Sequence, residues 1–296
     1  MPANTLKRQW FTQAALLAAL ATTAGQTRAD EQQASNGITA SASLDYVSIY
    51  MFRGYEQLDS DQGLTLQPGI EFTLPVDDGI GLTVGTWGSI HTDTDGPGGG
   101  ASNPKSWYEQ DIYSSLGFDL GMINASLGLT YYAYPSSATN GNITELNLGL
   151  STDPYALCDR SAFSAYIAVA VELQNNLLAD ENSYLELGGE YTFDLSNDAP
   201  VPVVLSIPVA IGFSLDDYYT NNTTGDNETF GYASIGLMGT LPLSSVLGTD
   251  QWLGAWDLTA GATFYFLNSS VALTDNFADS GDNYQVVAKV GISRSW

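Results

Sequence analysis

From residue 38 to the end of the chain, apolar side chains recur at every second position, and that period admits strands with one apolar and one polar face rather than helices. In residues 64 to 74, Leu64, Leu66, Ile70, Phe72 and Leu74 interleave with Thr65, Gln67, Gly69, Glu71 and Thr73. Residues 38 to 53 place Ala40, Ala42, Leu44, Tyr46, Tyr50 and Phe52 on one face, with Ser41, Ser43, Asp45 and Arg53 on the other. The pattern predicts twelve strands, at 38–53, 64–74, 80–91, 107–119, 122–134, 143–152, 162–173, 183–194, 201–215, 229–241, 253–267 and 283–296, with no linker between domains. Each is at least about as long as the ~9–11 residues that a tilted strand needs to cross a bilayer.

The connections alternate in kind. Those at 75–79, 120–121, 153–161, 195–200 and 242–252 are mostly short or compact, whereas those at 54–63, 92–106, 135–142, 174–182, 216–228 and 268–282 are longer and richer in Gly, Asn and Asp. Short turns at one end and long loops at the other belong to an outer-membrane barrel, and a soluble sandwich has no reason to segregate them. The expected fold is therefore all-β, a transmembrane antiparallel β-barrel of about 12 strands spanning residues 30–296. The last strand agrees: Tyr284, Val286, Ala288, Val290, Ile292 and Trp296 share one parity, with Arg294 close enough to the interface to snorkel. Pro202 and Pro208 fall inside the ninth strand, where a closed ladder has no edge to hide them, so a bulge or a locally open ladder is expected.

Lys7 and Arg8 precede an apolar stretch from Ala14 to Ala24, and Thr27 and Ala29 offer small residues for cleavage, so residues 1–29 read as a secretory signal peptide. With 8 Lys+Arg against 33 Asp+Glu, the chain carries a formal charge of −25, which excludes nucleic acid as a partner. Loss of the signal leaves 5 basic residues against 33 acidic ones, a charge of −28. His91 and Cys158 alone build neither a zinc cage nor an intrachain disulfide. The expected setting is the outer membrane, with its lipids and the barrel-assembly machinery as partners.

In a barrel, the inward parity carries Asp45, Glu71, Glu109, Asp111, Glu145, Glu172, Glu186, Glu190 and Asp257, against the two cations Arg53 and Lys289. A water-filled bore so lined concentrates cations and repels anions. Closure of the last strand on the first sets Lys289 level with Asp45. Arg53 lies ~27 Å further along the first strand and is expected to meet Glu56, Asp59 or Asp61 in the first loop. Asp93, Asp95 and Gly96 resemble half of a calcium loop, and no other cofactor is expected. Ser89 and His91 share a face, as a hydrolase's nucleophile and base would. Tyr50, Phe52, Trp107, Tyr131, Tyr132, Tyr134, Tyr218, Tyr219, Trp252, Trp256 and Phe266 lie near strand ends, where interfacial girdles form.

Ser48, Tyr50, Phe52, Arg53 and Gly54, followed by Gly63, Gly69-Ile70 and a Gly85-to-Trp87 step, resemble the start of the TorF-type porin family. In that family the Ser-x-Tyr-x-Phe-Arg-Gly stretch ends the first strand. The resemblance covers residues 40 to 91 and implies an outer-membrane channel without catalytic residues. Passive diffusion of small hydrophilic solutes, with cations preferred, is the function expected. The alternatives are a plugged structural or adhesive barrel whose acidic loops bind partners or divalent ions, and a barrel lipid hydrolase built on Ser89. An inward-folded loop, such as 92–106, would decide how open the bore is.

Overall fold

The computed structural model describes residues 37–58, 64–91, 107–135, 141–158, 160–176, 182–196, 201–221, 223–247, 256–271 and 283–296. The signal segment, Asp59, Asp61, Asp93, Asp95, the connection 92–106 and Trp252 lie outside them.

Alternation makes each segment a two-faced strand, and in lipid every backbone group on both edges of such a strand needs a partner. Twelve strands satisfy this by closing on themselves: β1 (Thr39–Val47), β4 (Thr65–Asp77), β5 (Ile80–His91), β6 (Trp107–Asp119), β7 (Ile123–Ala133), β8 (Asn142–Thr152), β10 (Ser161–Asn175), β11 (Ser183–Asp194), β12 (Val204–Asp216), β13 (Phe230–Pro242), β14 (Asp257–Leu267) and β15 (Tyr284–Ser295). All neighbours are antiparallel, and β1 pairs with β4 on one edge and β15 on the other. Ile112, Leu129, Leu148, Ile167, Leu237 and Val290 project outward and are exposed. Their inward neighbours include Asp111, Thr130, Glu145 and Lys289, all buried. An apolar exterior around a polar interior is the construction of an outer-membrane β-barrel.

Four described elements are not among the twelve wall strands. A ribbon of β2 (Tyr50–Phe52) and β3 (Tyr55–Leu58) pairs only with itself. β9 (Tyr155–Cys158) joins the start of β10, and the helix α1 (Leu243–Leu247) occupies one turn. The ribbon corrects the expected first strand. Alternation continues to Phe52, but the wall strand ends at Val47 and the chain turns inward.

The prolines divide. Pro202 precedes β12 and lies in the turn. Pro208 opens the ladder without a bulge: Ser206 pairs with Met238 and Val209 with Ile235, so the register toward β13 is unchanged across the gap. Gly236 makes room for the ring, since a Cβ there would come within 2.9 Å of Pro208 Cγ. Pro68 interrupts the β4–β5 ladder in the same way, between the pairs Leu66–Ile90 and Gly69–Trp87.

Closure is marked by charge. Lys289 Nζ lies 3.1 Å from Asp45 Oδ2, with both side chains buried, and Asp45 leans over Gly291, which a Cβ would obstruct. Removing one partner strands the other charge. Asp45→Ala is expected to cost about 3–5 kcal/mol in urea unfolding, and Asp45→Leu with Lys289→Met to recover most of it. A double variant no more stable than the single one would contradict this.

Candidate functional site

Ser48 makes the last pairing of this segment with the β15 backbone. Its N–H donates to the carbonyl of Ala288 at 2.9 Å, and its Oγ accepts from the Ala288 N–H at 2.9 Å. From there Ile49 packs on Val47 and Val287, and the ribbon crosses the interior near the loop end of the strands. Its tip is Arg53-Gly54, with φ of 48° and 80°. Two successive positive φ values make a tight hairpin turn. Glycine takes this conformation freely, whereas arginine is strained there by ~1–3 kcal/mol unless its side chain is held.

It is held. Arg53 Nη1 and Nη2 donate to the two oxygens of Glu145 on β8, at 2.7 and 2.9 Å. The guanidinium lies over the rings of Tyr184 (4.5 Å), Phe52 (4.9 Å) and Tyr218 (5.3 Å). Tyr132 adds a third donor to Glu145 at 2.8 Å. A bidentate, sandwiched arginine is well suited to a site withdrawn from water. Of the expected partners Glu56, Asp59 and Asp61, the last two lie outside the described residues, and the partner found is Glu145 across the bore, which was not among those expected. A strand kept in the wall could not reach it, but an inward hairpin does.

The ribbon docks on both sides. Tyr50 packs against Trp87 and Tyr108 and donates to Glu109 Oε2 at 2.8 Å. Tyr108 donates to Gln57 at 2.9 Å. Opposite, Gly54 lies against Tyr232, leaving no room for a Cβ. Tyr55 stacks on Tyr219 and donates to the carbonyl of Tyr218, while Tyr219 donates to the carbonyl of Arg53 at 2.7 Å. The segment after β12 therefore folds inward as well and clasps the tip.

The inward carboxylates fall into separate settings. Glu145 meets Arg53, and Asp45 meets Lys289. Glu109 and Asp111 sit side by side on β6, both fully buried. Glu186 accepts from Tyr166, Tyr184 and Tyr232. Glu172, opposite Glu145 in the ladder, accepts from Asn175 and from the N–H of Asn182. Glu71 accepts from Tyr113 at 3.2 Å. Glu190, opposite Pro208, and Asp257, opposite Ser293, stand nearer the turn end and apart from the ribbon.

Tyrosines are the residues that parity alone underused. Tyr50, Tyr132 and Tyr219 are buried inside, not in a girdle, and Phe52, Tyr134 and Tyr218 are half-buried, packed against interior rings. Trp107, Tyr131 and Phe266 do lie exposed on the outside, and Trp256 packs on Trp296. The signal was available in the i, i+2 spacing of Tyr184 with Glu186 and of Asp111 with Tyr113, which shares a face. Ser89 lies 3.3 Å from His91 Nε2 and Thr65 3.1 Å from Nδ1, all three buried in the interior, so this serine is out of a lipid's reach. Among the described residues, no three His, Cys, Asp or Glu side chains converge to hold a metal.

A family model described as a bacterial protein of unknown function (Gcw_chp) matches residues 31–204, more than half of the chain. The chain belongs to the Gcw_chp family. The matched segment holds the ribbon, Glu109, Asp111, Glu145 and Glu186, whereas Tyr218, Tyr219 and Tyr232 lie beyond it. No curated protein matches the sequence. Solved structures similar to this chain include an outer-membrane channel from Pseudomonas putida F1, at 9% identity and TM-score 0.48, covering 91% of this chain and 100% of that one. The NanC porin aligns at 10% identity and TM-score 0.44, over 86% and 98%. An anion-selective porin from Comamonas acidovorans aligns at 11% identity and TM-score 0.36, over 88% and 99%.

Docking of the ribbon depends on Gly54. Gly54→Val adds a side chain at a positive φ and against the Tyr232 ring, so the amides of residues 49–58 should exchange with deuterium at least ~10-fold faster, as a loss of ~1.4 kcal/mol or more implies, while the wall strands keep their protection. Unchanged exchange in this segment would contradict the docking described.

Proposed function

We propose that the chain is a porin-type channel of the outer membrane that passes small hydrophilic solutes passively and prefers cations. One observation carries the reading. Nine inward carboxylates face two basic side chains, and each of those two is ion-paired to one of the nine, which leaves seven with no cationic partner of their own among the pairs described. Fixed negative charge inside low-dielectric walls raises the local cation concentration and opposes anions. The TorF-type resemblance supports the same reading, because its residues Ser48, Tyr50, Phe52, Arg53 and Gly54 are those that form and dock the ribbon. Inward folding then narrows the bore, and the acidic groups beside the narrowing set the sign of what passes. Outer-membrane lipids surround the apolar exterior, and the assembly machinery would receive the last strand.

A second reading is favoured by the density of the contacts at the ribbon. A barrel stoppered by residues 48–58 and by Tyr218 and Tyr219 would serve a structural or adhesive role, its acidic loops binding partners or divalent ions.

Reconstitution in a planar bilayer separates the two. The channel reading predicts stepwise conductance and, under a salt gradient, a reversal potential of the sign that cation preference gives. A reversal potential of the anion sign would reject the selectivity, and a bilayer that stays silent with folded protein inserted would favour the stoppered barrel.

A further inference from the structure

Glu109 and Asp111 occupy successive inward positions of β6, beside the docked ribbon, and their exposures are 1% and 0%. Their carboxyl groups lie within hydrogen-bonding reach of each other, with Tyr134 and Glu145 near by. Tyr50 donates to Glu109 Oε2 at 2.8 Å. Glu109 Oε1 and both oxygens of Asp111 are buried without a hydrogen-bond partner. The nearby guanidinium of Arg53 has both terminal nitrogens engaged by Glu145. Two carboxyl groups in mutual contact, withdrawn from water and with no donor on Asp111 from elsewhere in the described residues, can be balanced in two ways, by a proton held between them or by a bound cation.

We infer that Glu109 and Asp111 together bind a small inorganic cation at the constriction, with Tyr50 orienting the Glu109 carboxylate from the ribbon. The inference deepens the channel reading and rests on it for its meaning as a step in permeation. The donor set argues for transit over storage. Calcium cages use 6–8 oxygens, whereas only two carboxylates converge here and no third acidic or His/Cys ligand joins them among the described residues. A permeating ion needs a site firm enough to enter and weak enough to leave. Because Tyr50 belongs to the ribbon, undocking it would also release its hold on the site.

Terbium(III) bound here would be sensitised by Trp87, which stands directly opposite Asp111 in the β5–β6 ladder, and by Tyr50. Purified barrel in detergent is titrated with terbium under aromatic excitation and then with calcium as competitor. The wild type should show a sensitised, calcium-displaceable component that the Glu109→Gln, Asp111→Asn double variant lacks and that Glu190→Gln retains. Heat-modified gel mobility confirms that each variant is folded. If the double variant does not fold, Asp111→Asn alone, which preserves shape and the Tyr50–Glu109 contact, should weaken the component several-fold. Equal emission and equal competition in wild type and the folded variant would overturn the inference, leaving the pair to share a proton. The result is independent of conduction. A barrel that binds terbium here and is silent in bilayers would keep the site and reject the channel, and a cation-selective channel without this component would do the reverse.

Discussion

A carboxylate inside this barrel needs a donor or a counter-charge, and the interior is organised by how most of them obtain it. Two take cations: Asp45 from Lys289 and Glu145 from Arg53. Others take phenols, three of them on Glu186 alone. Each solution draws a distant part of the chain to the same level of the bore. The Arg53–Glu145 pair joins residues 92 positions apart and pulls the ribbon off the wall to do so. Its strained backbone persists because the ion pair, the stacked rings and the Tyr219 hydrogen bond over-determine it.

The abundance of glycine and tyrosine follows from the same packing. Tyr166 lies over Gly188 and Tyr113 over Gly85, so that a Cβ at either glycine would meet the ring. A phenol laid flat across a bare strand delivers its hydroxyl to a carboxylate further along, as Tyr166 does to Glu186 and Tyr113 to Glu71. Apolar bulk faces the lipid instead, which is why Ile112 and Leu237 are exposed while Thr130 and Glu145 are buried. The inside and the outside of the barrel exchange the usual places of core and surface.

Much of this was legible in the sequence. Apart from the end of β1, period-two alternation located the wall strands to within a few residues, and β5, β6 and β11 to their ends, because a strand with lipid on one face and the polar interior on the other must sort its side chains strictly between them. Closure, with Lys289 beside Asp45, followed from antiparallel counting. The ribbon was not legible. Tyr50 and Phe52 continue the alternation past Val47, and local periodicity carries no information about whether a strand stays in the wall or pairs with itself inside it. The partner of Arg53 was missed for the same reason, since its distance to Glu145 depends on that departure. The two positive φ values at Arg53-Gly54 arise from a turn that the glycine permits but does not demand.

Single-channel conductance of the wild type against Arg53→Ala, in the same bilayer and salt, tests the central claim that the ribbon sets the bore. Removing the guanidinium unties the tip from Glu145 and leaves that carboxylate unpaired. The account predicts a larger conductance in the variant, with cation preference kept or increased. A variant whose conductance equals the wild type's, or falls below it, would contradict it.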